Sequence, residues 1–252
     1  MKLSGDVEMP LLGFGTWQMR GRQAYEATLA ALETGYRHID TATMYGNEPQ
    51  IGQALRDSGL DRRDVFVTTK LPAGNAGREW ETIRQSLREL GTDYVDLWLI
   101  HWPTGPDELV RTWEEFLAIR EGGLARAVGV SNFSPAQIDK VTAATGQAPA
   151  ANQIPWSPSG HDARLLAEHR DRGIVVEGYS SLKDTDLRDP VLAEIASRHA
   201  VTPAQVVLRW HLEHGIVMIP KSANRGRIEM NFDLYAFALD QEEISRIDAL
   251  SN

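Results

Sequence analysis

The sequence predicts a (β/α)8 barrel, and three observations carry that expectation. Short apolar runs alternate with charged, amphipathic segments eight times over. No Pro/Gly/Ser-rich linker or composition break interrupts the alternation, so residues 1–252 are read as one domain. A chain of 252 residues is also the length that eight strand–helix units require. A doubly wound sheet is the alternative, but it opens on a Gly-rich phosphate turn; here "GFGTWQ" has Gly13 and Gly15 and lacks the third glycine.

In chain order, "KLSGDVEM" (2–9) reads as an N-terminal β-hairpin that plugs the barrel bottom. The strand-like runs are "LLGFG" (11–15), "YRHID" (36–40), "VFVTTK" (65–70), "VDLWLIH" (95–101), "ARAVGVS" (125–131), "ANQI" (151–154), "GIVVEGY" (173–179) and "GIVMIP" (215–220). Helical periodicity fills the gaps. Residues 77–90 place Trp80, Ile83, Leu87 and Leu90 on one stripe, and residues 107–122 and 202–215 read the same way; each segment stops at a glycine.

Composition narrows the function. A formal net charge of −9 argues against nucleic-acid or anionic-membrane partners, and an anionic ligand would need a local basic cluster. The absence of cysteine removes disulfides, thiolate metal sites and cysteine nucleophiles. Asp6 and Glu8 stand where a signal peptide needs apolar residues, and no apolar run is long enough to span a bilayer, so a cytoplasmic protein is expected.

A barrel gathers its strand ends at one mouth. Those ends carry Asp40 followed by Tyr45, Lys70, His101, Ser131-Asn132, Gln153, Tyr179 and Lys221-Ser222. Taken singly, each has a bland reading: an Asp that starts a turn, a solvated Lys, a satisfied core His. Taken together they form an apparatus for protonating a carbonyl oxygen. Free tyrosine is too weak an acid at neutral pH, a neighbouring Lys70 ammonium favours its phenolate, and Asp40 keeps that lysine charged. A histidine N–H can meet an oxygen that gains negative charge. With no nucleophile and no metal in this set, a hydride has to come from a cofactor.

"GFGTW", "HIDTATMYGNE", "VTTKL", "LIHWP", "GVSNF", "NQI", "GYSSL" and "IPKSANRGRIEMN" occur in an order and spacing that resemble the aldo-keto reductase family along essentially the whole chain. The resemblance implies a catalytic tetrad of Asp40, Tyr45, Lys70 and His101 with Tyr45 as general acid, and NADPH lying extended across the barrel mouth. It implies cofactor contacts at Gly15, Thr16, Trp17 and Asp40. Ser131, Asn132 and Gln153 would meet the carboxamide, Tyr179 the nicotinamide ring, and Ser180 and Leu182 the pyrophosphate. Lys221, Ser222 and Arg227 would meet the 2′-phosphate and Asn231 the adenine. The expected substrate is a small aldehyde, ketone or dicarbonyl, in a pocket walled by Trp17, Tyr45, His101, Trp102 and Trp156. The chain is expected to be a monomer similar to the prokaryotic branch that includes 2,5-diketo-D-gluconic acid reductases. A cofactor-sensing binding protein with slow chemistry is the alternative, disfavoured by the intact tetrad.

The pattern departs from many relatives at Trp156-Ser157, which replace a tyrosine and histidine, and at Met230, where a glutamate is common. The short "WPTGPD" connection and the ending "RIDALSN" suggest a short lid and an open pocket. Two motifs are set aside. "YSSLK" matches a Tyr-x-x-x-Lys pair, but Tyr179 closes a strand-like run rather than riding a helix. His211 and His214 lie three apart on a predicted helix, without the pattern of a metal-dependent hydrolase, and read as surface or packing residues.

Overall fold

The computed structural model describes residues 1–3 and 7–250. Its strands are β1 (Phe14–Gly15), β2 (His38–Asp40), β3 (Phe66–Leu71), β4 (Val95–Ile100), β5 (Ala125–Ser131), β6 (Ala151–Pro155), β7 (Val175–Tyr179) and β8 (Val217–Met218). They form one parallel sheet in sequential order, β1 to β8. The sheet closes on itself. Leu12, just ahead of β1, pairs in parallel with Met218 of β8, and the Gly13 amide donates to the Met218 carbonyl at 2.8 Å.

Between the strands run α1 (Gly21–Thr34), α2 (Glu48–Asp57), α3 (Glu79–Leu90), α4 (Leu109–Glu121), α5 (Pro135–Thr145) and α6 (Ala163–Asp171). Two helices, α7 (Pro190–His199) and α8 (Pro203–Glu213), separate β7 from β8, and α9 (Arg225–Phe232) and α10 (Gln241–Asp248) follow. Local chemistry explains several starts. Ser134 and Thr202 each form a capping box with the glutamine three residues on, ahead of a first-turn proline. The helix expected at 77–90 begins at Glu79, and its stripe of Ile83, Leu87 and Leu90 is buried against the sheet.

Strand parity decides what lies inside. Phe66, Leu97, Leu99, Ala127, Ala151, Val175 and Val217 cluster together within the barrel. The alternate residues Ile39, Val67, Leu71, Trp98, Ile100, Val128 and Val130 pack outward under the helices, where Trp98 stacks on Phe116 at 3.9 Å. Following the inward parity up each strand leads to Asp40, Lys70, His101, Ser131, Gln153 and Tyr179. The period of two that makes these runs strands therefore delivers every one of those side chains to the same interior.

Leu3, Val7 and Met9 belong to the interior cluster and sit at its floor. Lys2 pairs antiparallel with Glu8, and the Leu3 amide donates to the Val7 carbonyl at 2.9 Å. The turn of the expected hairpin, residues 4–6, lies outside the described residues. Among the described residues no helix is long and apolar enough to cross a membrane.

Candidate active site

The stretch "HIDTATMYGNE" is built to hold one tyrosine over one lysine. β2 delivers Asp40 to the barrel interior, and the Thr41 hydroxyl then donates to Asn47 Oδ1 at 2.7 Å. Asn47 Nδ2 donates to the carbonyls of Thr16 and Met19 at 3.0 and 3.1 Å, tying this loop to the one that leaves β1. A short 3-10 turn over Thr43–Tyr45 ends at Gly46, whose φ of 64° is the left-handed conformation glycine adopts without strain. Thr43 Oγ1 donates to the Lys70 carbonyl at 2.9 Å, while the buried Glu48 accepts from Thr69 at 2.6 Å and Ser86 at 3.1 Å. Asn47 and Glu48 escaped the reading of the sequence; their signal was only that the loop stays polar after the strand has ended.

Lys70 is fully buried. Its ammonium donates to both carboxylate oxygens of Asp40, at 2.8 and 2.7 Å, and to the Thr41 carbonyl at 2.8 Å. Gln153 Nε2 also donates to Asp40, at 2.9 Å, so the glutamine expected at a cofactor carboxamide spends an amide N–H on the ion pair. Lys70 Nζ lies 5.1 Å from the centre of the Tyr45 ring, which meets the His101 ring edge-on at 5.8 Å. The four residues thus form one contiguous group.

Electrostatics refine the sequence expectation for Tyr45. Burial raises its pKa, and the opposing pull of the Lys70 charge is smaller, so the phenol lies above its ordinary value rather than below it. It is held as an acid. For Lys70, burial pulls downward but Asp40 and Tyr45 together outweigh it, and the ammonium is held above its usual range. Burial next to the Lys70 charge brings His101 down to about 3, making it a neutral imidazole, and its Nδ1 has no hydrogen-bond partner among the described residues. Below this group sit two further buried polar side chains. Burial, reinforced by the Asp40 charge, pushes Glu177 up to about 8 against smaller opposing pulls from Lys70 and Gln153, and His38 Nε2 stands 3.7 Å away.

A cavity of about 570 Å³ opens above Tyr45 and His101. Among the residues singled out in the sequence, its lining includes Gly15, Trp17, Asp40, Tyr45, His101, Trp102, Ser131, Asn132, Gln153, Tyr179, Ser180, Leu182 and Lys221. Trp17 and Trp102 are 47% and 50% exposed, forming an apolar rim with Met44. Thr16 lies beneath, buried, with its hydroxyl donating to the Asp40 carbonyl at 2.9 Å. Ser222, Arg227 and Asn231 lie beyond the cavity lining, on α9 and the segment before it; Asn224 caps α9 by accepting from the Arg227 amide at 3.0 Å.

Trp156 is a correction. It is 1% exposed and packs with the outer cluster around Val206 and Trp210, not in the pocket wall. The cause is parity: Gln153 points inward, so Ile154 and Trp156 point out. Gly178 makes the room, since a Cβ there would stand 2.8 Å from that of Trp156. Residues missed in the sequence include Gln18, Ser181 and Lys183, all lining the cavity. Lys183, treated only as half of a discounted pair, lies 5.4 Å over the Trp17 ring.

The sequence profile of the Aldo/keto reductase family matches residues 11–252. The chain belongs to that family. It is 39% identical to the glycerol 2-dehydrogenase (NADP(+)) of Saccharomyces cerevisiae, the match covering 100% of this chain and 90% of the yeast protein. It is 37% identical to the methylglyoxal reductase DkgA of Escherichia coli, over 99% of this chain and 92% of that protein. Among solved structures, a Bombyx mori aldo-keto reductase in complex with NADP superposes with a TM-score of 0.92 at 33% identity, covering 100% of this chain and 92% of that one.

The cavity of this reductase suits a long, anionic, amide-bearing ligand. Buried polar atoms without partners among the described residues, Ser181 Oγ and His101 Nδ1, adjoin it, and Lys183 and Lys221 bring cationic side chains to its wall. Gly15 lets the ends of β1 and β8 meet under it, because a Cβ would stand 2.6 Å from the Ile219 carbonyl oxygen. Asn132 and Ser180 hold left-handed φ angles of 63° and 61° at the same wall, and at Asn132 side-chain bonds offset the strain. Tyr179 donates its hydroxyl to Asn132 Oδ1 at 2.8 Å, and Asn132 Nδ2 donates to the His101 carbonyl at 3.1 Å.

The raised Glu177 predicts a definite pH dependence of stability. The folded state keeps a proton that the unfolded chain releases in the ordinary carboxylate range, so this group's contribution is present below that range and declines as pH rises toward the folded pKa. A Glu177→Gln variant has no such proton to lose. Its stability relative to the parent, measured by urea unfolding, is expected to improve steadily from acid to mildly alkaline pH. A pH-independent difference would show that Glu177 is ionised in the fold.

Proposed function

We propose that the chain, residues 1–252 acting as one domain, reduces small aldehydes, ketones or dicarbonyls to alcohols with NADPH, Tyr45 acting as general acid. The observation that carries the reading is the buried Lys70–Asp40 pair beside a protonated Tyr45 and a neutral His101, all at the floor of one cavity. When bound, NADPH supplies the hydride for the carbonyl carbon.

The side chains supply the rest. Tyr45 donates its proton to the carbonyl oxygen as negative charge grows there. Lys70, fixed by Asp40, stabilises the phenolate that remains, which is where its charge does more than in the resting phenol. His101, held neutral, offers an N–H to the same oxygen and does not compete for the proton. Asn132 and Ser131 present amide and hydroxyl groups suited to a carboxamide, and Tyr179 offers a ring face at the cavity wall. Near the start of α9, Lys221, Ser222 and Arg227 form the local basic group that an acidic chain needs for a phosphate. The exposed rim of Trp17, Met44 and Trp102 supports broad acceptance of apolar carbonyl substituents.

Tyr45→Phe is expected to lower turnover at least about a hundredfold, the usual share of a general acid, with NADPH affinity unchanged. Loss of NADPH absorbance against a panel of aldehydes, α-keto acids and dicarbonyls measures the first, and fluorescence titration the second. Unchanged turnover in the variant would refute the acid role. NADPH binding without turnover of any carbonyl by the parent would favour a cofactor sensor.

Lys221→Ala combined with Arg227→Ala is expected to weaken NADPH at least about tenfold more than NADH, because only the former carries the phosphate these cations face. Equal losses for the two cofactors in parallel titrations would contradict that assignment.

A further inference from the structure

On the outside of the barrel, far from Lys70 in the chain, three segments bring together His161, His214 and Asp248. His161 follows a short 3-10 turn after β6, His214 caps α8, and Asp248 ends α10. We propose that these side chains form a binding site for a zinc-type divalent ion, with two imidazoles and one carboxylate as ligands.

The donor geometry supports this. One ligand atom from each residue lies within 4.8 Å of the other two. His214 Nε2 stands 2.8 Å from Asp248 Oδ1, and His161 Nδ1 stands 3.8 Å from the same oxygen. Tetrahedral zinc, with bonds of about 2.0–2.1 Å, separates its donors by roughly 3.3 Å, between these two values. The two imidazole nitrogens stand up to 4.8 Å apart, so side-chain shifts of roughly an ångström would close the shell, and water would complete it.

The ligands are also held by neighbours. The His161 ring meets Trp156 and Trp210 edge-on at 5.8 and 5.5 Å, which fixes its plane. Trp210 Nε1 donates to Asp248 Oδ1 at 2.7 Å, the kind of supporting bond that orients a ligating carboxylate. Two nitrogen donors select zinc-like ions over magnesium or calcium, which take oxygen.

An ion here would fasten the loop after β6 to α8 and α10. That loop braces the segment behind the cavity wall, because the Ser159 hydroxyl donates to the Asp184 carbonyl, one residue beyond the lining Lys183. Metal binding would therefore stiffen a loop at the mouth without touching the reacting atoms.

The test uses untagged, chelator-stripped protein titrated with Zn²⁺ by calorimetry, and with Co²⁺ followed by visible absorption. One equivalent of Zn²⁺ is expected, with a rise in melting temperature and Co²⁺ bands of the strong tetrahedral type. His214→Ala and Asp248→Asn should weaken zinc at least about a hundredfold and abolish those bands. His161→Ala provides a third check, and Asp248→Asn, at the most exposed of the three side chains, is the change that disturbs packing least. Absence of saturable zinc binding, or equal affinity in the parent and His161→Ala, would overturn the proposal.

Discussion

A lysine ammonium with no solvent exposure is costly to place inside a barrel, and the upper half of this interior is organised around that cost. Asp40 meets the charge with both oxygens, Thr41 with its carbonyl, and Gln153 holds the carboxylate from the opposite side. Such a pair adds little net stability, because desolvating two ions consumes most of what their attraction returns; removing one partner alone costs about 3–5 kcal/mol. Its value lies in position. The charge is fixed 5.1 Å from the Tyr45 ring, where the proposed mechanism makes the phenol an anion.

The neighbouring titratable groups follow from the same constraint. One lysine cannot compensate two carboxylates, so Asp40 takes the ion pair and Glu177, beneath it, retains a proton. Histidines beside a buried cation stay neutral: burial and Lys70 together hold both His38 and His101 near 3. This leaves one acid and one neutral donor lining the cavity, with one fixed positive charge buried beneath them. For polarising and protonating a carbonyl that is a sufficient set, and it needs none of the nucleophiles the chain lacks.

Much of this was legible in the sequence for a physical reason. A period of two in short apolar runs names the strands, and the polar residue that ends each inward row names the mouth. Parity also explains where the reading failed. Trp156 was placed in the pocket by the family resemblance, where it replaces a tyrosine, yet the odd step from the inward-facing Gln153 turns it outward, into space that Gly178 leaves open. The direction of the Tyr45 shift was misjudged because a charge pair can be read from residue types, whereas depth of burial cannot. Asn47, Glu48 and Lys183 were missed since their roles depend on which loops touch. His161, His214 and Asp248 come from separate segments that only the closed barrel and α10 bring within reach, so spacing along the chain held no sign of them.

The central claim is that Asp40 and Lys70 act as one unit in support of Tyr45, and a double-mutant cycle on turnover tests it most directly. Asp40→Asn, Lys70→Met and the double variant would be compared for kcat and for NADPH affinity. The account predicts that each single change lowers kcat by orders of magnitude, with the double variant no worse than Lys70→Met. NADPH binding should be little altered in Lys70→Met. Losses that simply multiply in the double variant, or a Lys70→Met protein with near-normal kcat, would contradict it.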